Sequence, residues 1–212
     1  MLVDIHTHTS HSTSNSLAVR NLTIAEADIL FDSSMQEFCS VGIHPWQVDS
    51  FSEDMLSKLE VWAKDKRFIA VGECGLDKNS SAGFEQQLKI FEQQIILSEK
   101  TNKALIIHCV GYFNELFALK KKWNPSQLWI IHGFRGKPEL AMQALKTGCT
   151  LSYGEHFNAT SVRLTPIEKL FIETDESELK ISEIYKVISI AKGCKIEDLK
   201  AGIHLLKEAI MR

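Results

Sequence analysis

The 212-residue chain carries 24 Lys and Arg against 27 Asp and Glu, for a formal net charge of -3 at pH 7, and 44% of its residues are hydrophobic. That length suits a single domain spanning residues 1–212. The charge excludes polyanion binding by bulk electrostatics and leaves open a local basic groove or a metal centre, while no leading signal segment and no bilayer-length apolar run are expected.

Met1-Leu2-Val3-Asp4-Ile5-His6-Thr7-His8 reads as a short apolar strand ending in a polar cluster. Residues two apart share a face of an extended chain, so Asp4, His6 and His8 point one way. Two imidazoles on one side of a strand end make half of a divalent-metal site. Residues 9 to 16 read as a loop, with His11 facing solvent. Leu17 to Ile24 is a second strand and Phe38 to Ile43 a third, ended by His44-Pro45-Trp46. Ser50 with Glu53 spells a capping box that opens a helix with Leu56, Leu59 and Ala63 on one face. Phe68 to Gly72 is a strong apolar strand, followed by Glu73-Cys74-Gly75-Leu76-Asp77.

Phe84, Leu88, Phe91 and Ile95 recur at helical spacing. Ala104 to Ile107 is the next strand, ending in His108. The following helix turns Leu116 and Phe117 inward and finishes in Lys120-Lys121-Lys122, a run that suits the negative end of a helix dipole. Leu128 to Ile131 is a strand ending in His132. Gly133-Phe134-Arg135-Gly136 then leads to Pro138 at a helix start, and Gly148 caps that helix. Cys149 to Tyr153 and Lys169 to Ile172 are the last strands, the second ending in Glu173-Thr174-Asp175. Two helices follow, one with Ile184, Val187 and Ile188 inward, the other with Ile196, Leu199, Ile203 and Leu206.

Eight strands, most separated by helices and apolar without alternation, predict a parallel α/β fold. Eight such units predict a TIM-type (β/α)8 barrel. It is trimmed or distorted, because little room exists for a helix after the first strand, and residues 154 to 168 read as irregular. The cysteines Cys39, Cys74, Cys109, Cys149 and Cys194 are widely spaced and never C-x-x-C. They are expected to be reduced and mostly buried in a cytoplasmic protein. For Cys74, Cys109 and Cys149 a small buried hydrophobe is preferred over a thiolate ligand.

The polar residues fall in a pattern. His6 and His8, His44, Glu73, His108, His132 and Asp175 each sit at the end of a predicted strand or just past it. That rim of a parallel barrel is where sites are built, and nitrogen and carboxylate donors suit a divalent ion.

Asp4-Ile5-His6-Thr7-His8, Gly42-Ile43-His44-Pro45, Val71-Gly72-Glu73-Cys74-Gly75-Leu76-Asp77, Ile107-His108, Ile131-His132-Gly133-Phe134 and Glu173-Thr174-Asp175 occur in this order. On these elements the sequence resembles the TatD family of metal-dependent hydrolases and deoxyribonucleases, over residues 1 to about 175. The resemblance implies two divalent ions (Mg, Mn or Zn), with His6, His8 and Asp175 on one, His108 and His132 on the other, and Glu73 bridging them. Such a pair, about 3.5–4 Å apart, clamps both oxygens of an in-line phosphoryl displacement. Asp175 and Glu73 are the implied catalytic residues, with Asp175 also accepting the nucleophile's proton. The implied substrate is DNA or another phosphoester, and no membrane is involved.

His44 has no ligand slot in that scheme and contacts a substrate phosphate or orients a ligand. Arg135 meets a phosphate with its fork of donors or is simply exposed. Asp77 orients a neighbour or caps a turn, and Trp46 packs at the barrel mouth or stacks on a base. The family's usual arginine two residues after the position of His108 is here Val110, and the serine and proline after E-T-D are Glu176 and Ser177. The expected activity is phosphodiester hydrolysis, as a 3′–5′ exonuclease on single strands or short ends. The alternatives are hydrolysis of a small phosphoester or amide on the same barrel, for which the D-x-H-x-H start is also similar to the PHP phosphoesterases, and a non-catalytic metal-binding protein.

Overall fold

The computed structural model describes residues 1–9, 15–34 and 36–200. Eight strands, β1 (Leu2–Thr7), β2 (Ser16–Leu22), β3 (Phe38–Val41), β4 (Phe68–Asp77), β5 (Ala104–Val110), β6 (Trp129–Ile131), β7 (Thr150–Tyr153) and β8 (Leu170–Ile172), keep chain order in one sheet. The pairs β1–β2, β3–β4, β4–β5, β6–β7 and β7–β8 run parallel. Seven helices lie among the described residues: α1 (Ile24–Phe31), α2 (Glu53–Trp62), α3 (Phe84–Thr101), α4 (Phe113–Trp123), α5 (Pro138–Lys146), α6 (Ala159–Leu164) and α7 (Ile181–Lys192). This is the strand order and alternation of the expected TIM-type fold, and no described residue between β1 and β2 is helical. Contacts divide the chain into two compact units, residues 1–20 with 130–212, and residues 21–129.

In the first unit β1 buries Val3 and Ile5. The Tyr185 hydroxyl of α7 donates to Val3 O at 2.9 Å and accepts from Val3 N at 3.2 Å. Beside β8, Asp175 N donates to His6 O at 3.0 Å and His8 N to Asp175 O at 3.2 Å. Pro138 opens α5 as expected, and Gly148, at φ 87°, follows its C-cap. Residues 154 to 168 are more ordered than their sequence suggests. Asn158 Oδ1 accepts from the N–H groups of Thr160 and Ser161 and starts the short α6. In α7, Ile184 and Ile188 are buried while Val187 is 40% exposed, so the apolar stripe is narrower than expected. Leu199 is buried in a 3-10 turn. His11, Ile203 and Leu206 lie outside the described residues.

In the second unit β4 runs to Asp77, five residues past the expected strand end, and is buried throughout. Helix α1 was not anticipated, yet its signal is local. Thr23 Oγ1 accepts from Glu26 N at 3.3 Å and Glu26 Oε2 accepts from Thr23 N at 2.9 Å, a capping box. Arg67 then caps its far end, donating to Leu30 O and Phe31 O. The expected Ser50 cap does not form. A 3-10 turn (Pro45–Ser50) follows His44 instead, Ser50 Oγ donates back to Gln47 O at 2.9 Å, and α2 begins after Ser52. In α4, Leu116 and Phe117 are buried as expected. Lys120 lays its amine over the Trp129 ring at 5.0 Å and Lys122 pairs with Glu92 at 2.7 Å, so two of the three lysines serve packing and pairing.

Candidate metal centre

In the first unit the donors come from strand ends that share a sheet edge. His6 is fully buried at the end of β1 and His8 is exposed just beyond it. Asp175 Oδ1 lies 3.6 Å from His6 Nε2 and 3.5 Å from His8 Nε2. The residue reaches them at φ 55°, a left-handed conformation that costs an aspartate little more than an asparagine. The residue before it is clamped. Asp4 Oδ1 accepts from Thr174 N at 3.0 Å and Asp4 Oδ2 from Thr174 Oγ1 at 2.7 Å. Burial pushes the Asp4 carboxyl up to about 7 against those two bonds. The aspartate of D-x-H-x-H therefore supports the β8 end rather than joining the donors.

A second carboxylate stands there that sequence reasoning passed over. Glu173 is 0% exposed. Its Oε1 accepts from Gly133 N at 2.5 Å and lies 3.6 Å from His132 Nδ1, while its Oε2 has no hydrogen-bond partner among the described residues. His6, His8 and Asp175 form one group whose ligand atoms all lie within 4.8 Å of one another, and His132, Glu173 and Asp175 form another. A fully buried carboxylate oxygen without a partner is costly, and a divalent cation among nitrogen and oxygen donors satisfies it. The residues present fit such an ion. Glu173 and Asp175 also line a cavity of about 320 Å³, with Arg135, Glu155 and His156 among its walls. Arg135 is exposed there.

In the second unit Glu73 lies within β4 rather than at its end, because the strand continues through a register shift between Val71 and Cys74. Its N–H donates to Asn21 Oδ1 at 2.8 Å, which also accepts from Ser40 Oγ at 3.2 Å. Glu73 Oε1 is 3.0 Å from His108 Nδ1 and 3.4 Å from His44 Nε2, and these three residues form a third donor group within 4.8 Å. His44 is thus placed among the donors, which the sequence scheme did not require. His44 Nδ1 accepts from Trp46 N at 3.2 Å. The other nitrogen is then the one that carries the proton in the neutral ring, and it faces Glu73 as a donor.

Asp77 performs both of its expected roles. Its Oδ2 is 3.0 Å from His108 Nε2 and accepts from Trp46 Nε1 at 2.8 Å, while Oδ1 accepts from Asn79 N at 2.8 Å. Burial raises this carboxyl, but the bonds from Asn79, His108 and Trp46 outweigh it and hold it below the usual range. Two buried glutamines of α3 lock the backbone on either side. Gln94 accepts from Ile43 N at 2.7 Å and donates to Ile43 O at 3.1 Å. Gln87 does the same for Asp77, at 2.8 and 3.0 Å. A Cβ at Gly75 (φ 136°) would stand 2.1 Å from His108 O, so only glycine lets β4 and β5 approach this closely. Cys74 is fully buried and burial, then Glu73, raises its thiol well above the ordinary value. It is a packed hydrophobe, not a thiolate.

The family model for TatD-related DNases matches residues 4–192. The chain is 29% identical over 152 residues to the 3′–5′ ssDNA/RNA exonuclease TatD of Pantoea ananatis, across 66% of this chain and 58% of that protein. It is 31% identical over 189 residues to the deoxyribonuclease Tat-D of Schizosaccharomyces pombe, across 79% and 55%. The chain thus spans less than three fifths of the length of these two curated relatives. The crystal structure of YJJV, a TatD homologue from Escherichia coli K12, shares the fold with a TM-score of 0.83 at 17% identity, over 99% of this chain and 97% of that one. Because the family match takes in both units and every donor group described above, the chain belongs to the family of TatD-related DNases.

Proposed function

We propose that the chain acts as a single hydrolase domain that cleaves phosphodiester bonds, trimming single-stranded DNA from its 3′ end. The observation that carries the reading is the buried Glu173 carboxylate with an unpartnered oxygen among the histidine and aspartate donors, an arrangement that wants a cation. The curated relatives named as nucleases add the substrate class.

We assign His6, His8, Glu73, His108, His132 and Asp175 as ligands of two divalent ions, Mg, Mn or Zn, with Glu173 in support. Divalent ions in such a site supply Lewis-acid character and a water acidic enough to attack at neutral pH. Asp175 takes a proton from the attacking water, its carboxylate partly open to solvent and steadied through the Asp4–Thr174 clamp. We assign His44 Nε2–H as a donor to a substrate phosphate oxygen, in exchange for its contact with Glu73 when substrate enters. Arg135, at the cavity wall, adds a forked donor for a phosphate. Five free cysteines fit a reducing compartment, the cytoplasm. Among the described residues no helix is long and apolar enough to cross a membrane.

Release of mononucleotides from labelled single-stranded DNA, with manganese and with EDTA, tests the reading. Metal-dependent release that is absent in Glu73→Ala is expected. Turnover of a small phosphomonoester without any DNA cleavage would replace the nuclease with a small-ester hydrolase. Turnover that survives EDTA would overturn the metal assignment itself.

A further inference from the structure

We propose that Trp46 is a fixed stacking platform for a nucleobase of the single-stranded substrate, a proposal that rests on the nuclease reading above. Trp46 is 63% exposed, whereas Trp62 and Trp129 are buried, so it does not pack as they do. Its position is nevertheless held from three directions. The indole Nε1 donates to Asp77 Oδ2 at 2.8 Å, the main-chain N–H donates to His44 Nδ1 at 3.2 Å, and the preceding Pro45 carbonyl accepts from Ser80 Oγ at 2.8 Å. The ring meets His44 edge-on, with centroids 5.3 Å apart at 89°.

An indole left in water gives up the stabilisation its burial supplies. Here the polar anchors, not an apolar pocket, set its orientation and leave ring surface free. A rigid aromatic surface loses little entropy when a flat partner covers it. The position says which partner. Asp77 Oδ2 accepts from Trp46 and also contacts His108 Nε2, and the Trp46 and His108 rings are 6.4 Å apart. A base lying on the indole keeps its own phosphate beside the His44, Glu73 and His108 group. Stacking of this kind accepts any base, because every base offers a π face. Trp46 would therefore hold the strand without reading its sequence.

The test compares Trp46→Phe with Trp46→Leu in the full chain. Both lose the bond to Asp77, and only the first keeps a ring, so their difference isolates stacking from support of His108. The substrates are a single-stranded oligonucleotide carrying 2-aminopurine at its 3′ end and the same strand with abasic 3′-terminal positions. For the first, Trp46→Leu is expected to show a KM about tenfold above Trp46→Phe, with similar kcat. Quenching of 2-aminopurine on binding in EDTA should be kept by Phe and lost by Leu. On the abasic strand the two variants should behave alike. Equal KM and equal quenching in the two variants, with cleavage intact, would overturn the platform and leave the nuclease standing. Neither cleavage nor quenching by the unaltered protein would bring down both.

Discussion

In the first unit the donors are steadied by carboxylates carried on the strands themselves or just past their ends. Asp4 sits two residues before His6 and clamps Thr174, the neighbour of Asp175, while Glu173 holds Gly133, the neighbour of His132. In the second unit the supports are side-chain amides, two of them carried on one helix. Gln87 and Gln94 reach in from α3, and Asn21 ties β2 to both Ser40 and Glu73. The first arrangement works mainly with carboxylates, the second with amides, of which the two glutamines each satisfy a backbone N–H and C=O at once. A neutral amide can be fully buried without the cost of an ion, which suits a helix packed against the sheet. A carboxylate near donor histidines adds negative charge where a cation is wanted.

The strongest blow to the second unit is loss of its donors. Glu73→Ala and His108→Ala should each lower nuclease activity by about two to three orders of magnitude, the scale seen when a charge-stabilising group is removed, with urea midpoints near that of the parent. Gln94→Leu comes next. It strands the N–H and C=O of Ile43, and about 2–4 kcal/mol of stability should disappear in urea denaturation, with activity falling because His44 follows Ile43. A loss below about 1 kcal/mol would show that water replaces the glutamine and that the amide brace is not needed.

For the first unit, Glu173→Gln keeps an acceptor for Gly133 N–H but removes the charge. Calorimetric metal titration should show affinity about tenfold or more lower, with little change in melting temperature. Unchanged affinity would reduce Glu173 to a backbone brace and make the units more alike than described. The smallest effect belongs to Asp65, whose carboxyl is held below its ordinary range chiefly by its hydrogen bond from Arg67, the cap of α1. A depressed acid stabilises the fold above its unfolded value, and that contribution is lost as pH falls through the folded one. Asp65→Asn should cost about 1 kcal/mol or less at pH 7 because the pair is partly exposed. The gap from the parent should close in more acidic urea titrations.

Which features were legible follows the same division. The alternation of β1 exposed His6 and His8 as a pair, because spacing by two is a direct statement about direction. The same spacing relates Glu173 to Asp175, so the missed carboxylate was available to the argument that found the histidines. Gln87 and Gln94 were obscured by their chemistry. They are seven apart and next to the Leu88 and Ile95 stripe, but a glutamine on an amphipathic helix reads as a wet position until its backbone partner is known. Thr23 and Glu26 spelled the cap of α1, and Ser50 and Glu53 spelled one that the 3-10 turn after His44 pre-empted. Capping letters describe a possible start; the competing turn decides whether it is used. The outward turn of Trp46 had no sequence signal, since it depends on Asp77, thirty-one residues away.

Gly75 separates two properties that metal sites usually carry together. The distance between β4 and β5 is written in main-chain atoms, at a point where a side chain has no room. The identities of the donors are written in Glu73 and His108, whose side chains leave those same strands. On the proposed assignment, exchanging either donor for a harder or softer ligand would retune the preferred ion without moving the frame. The fold keeps a fixed gauge and lets the chemistry mounted on it vary.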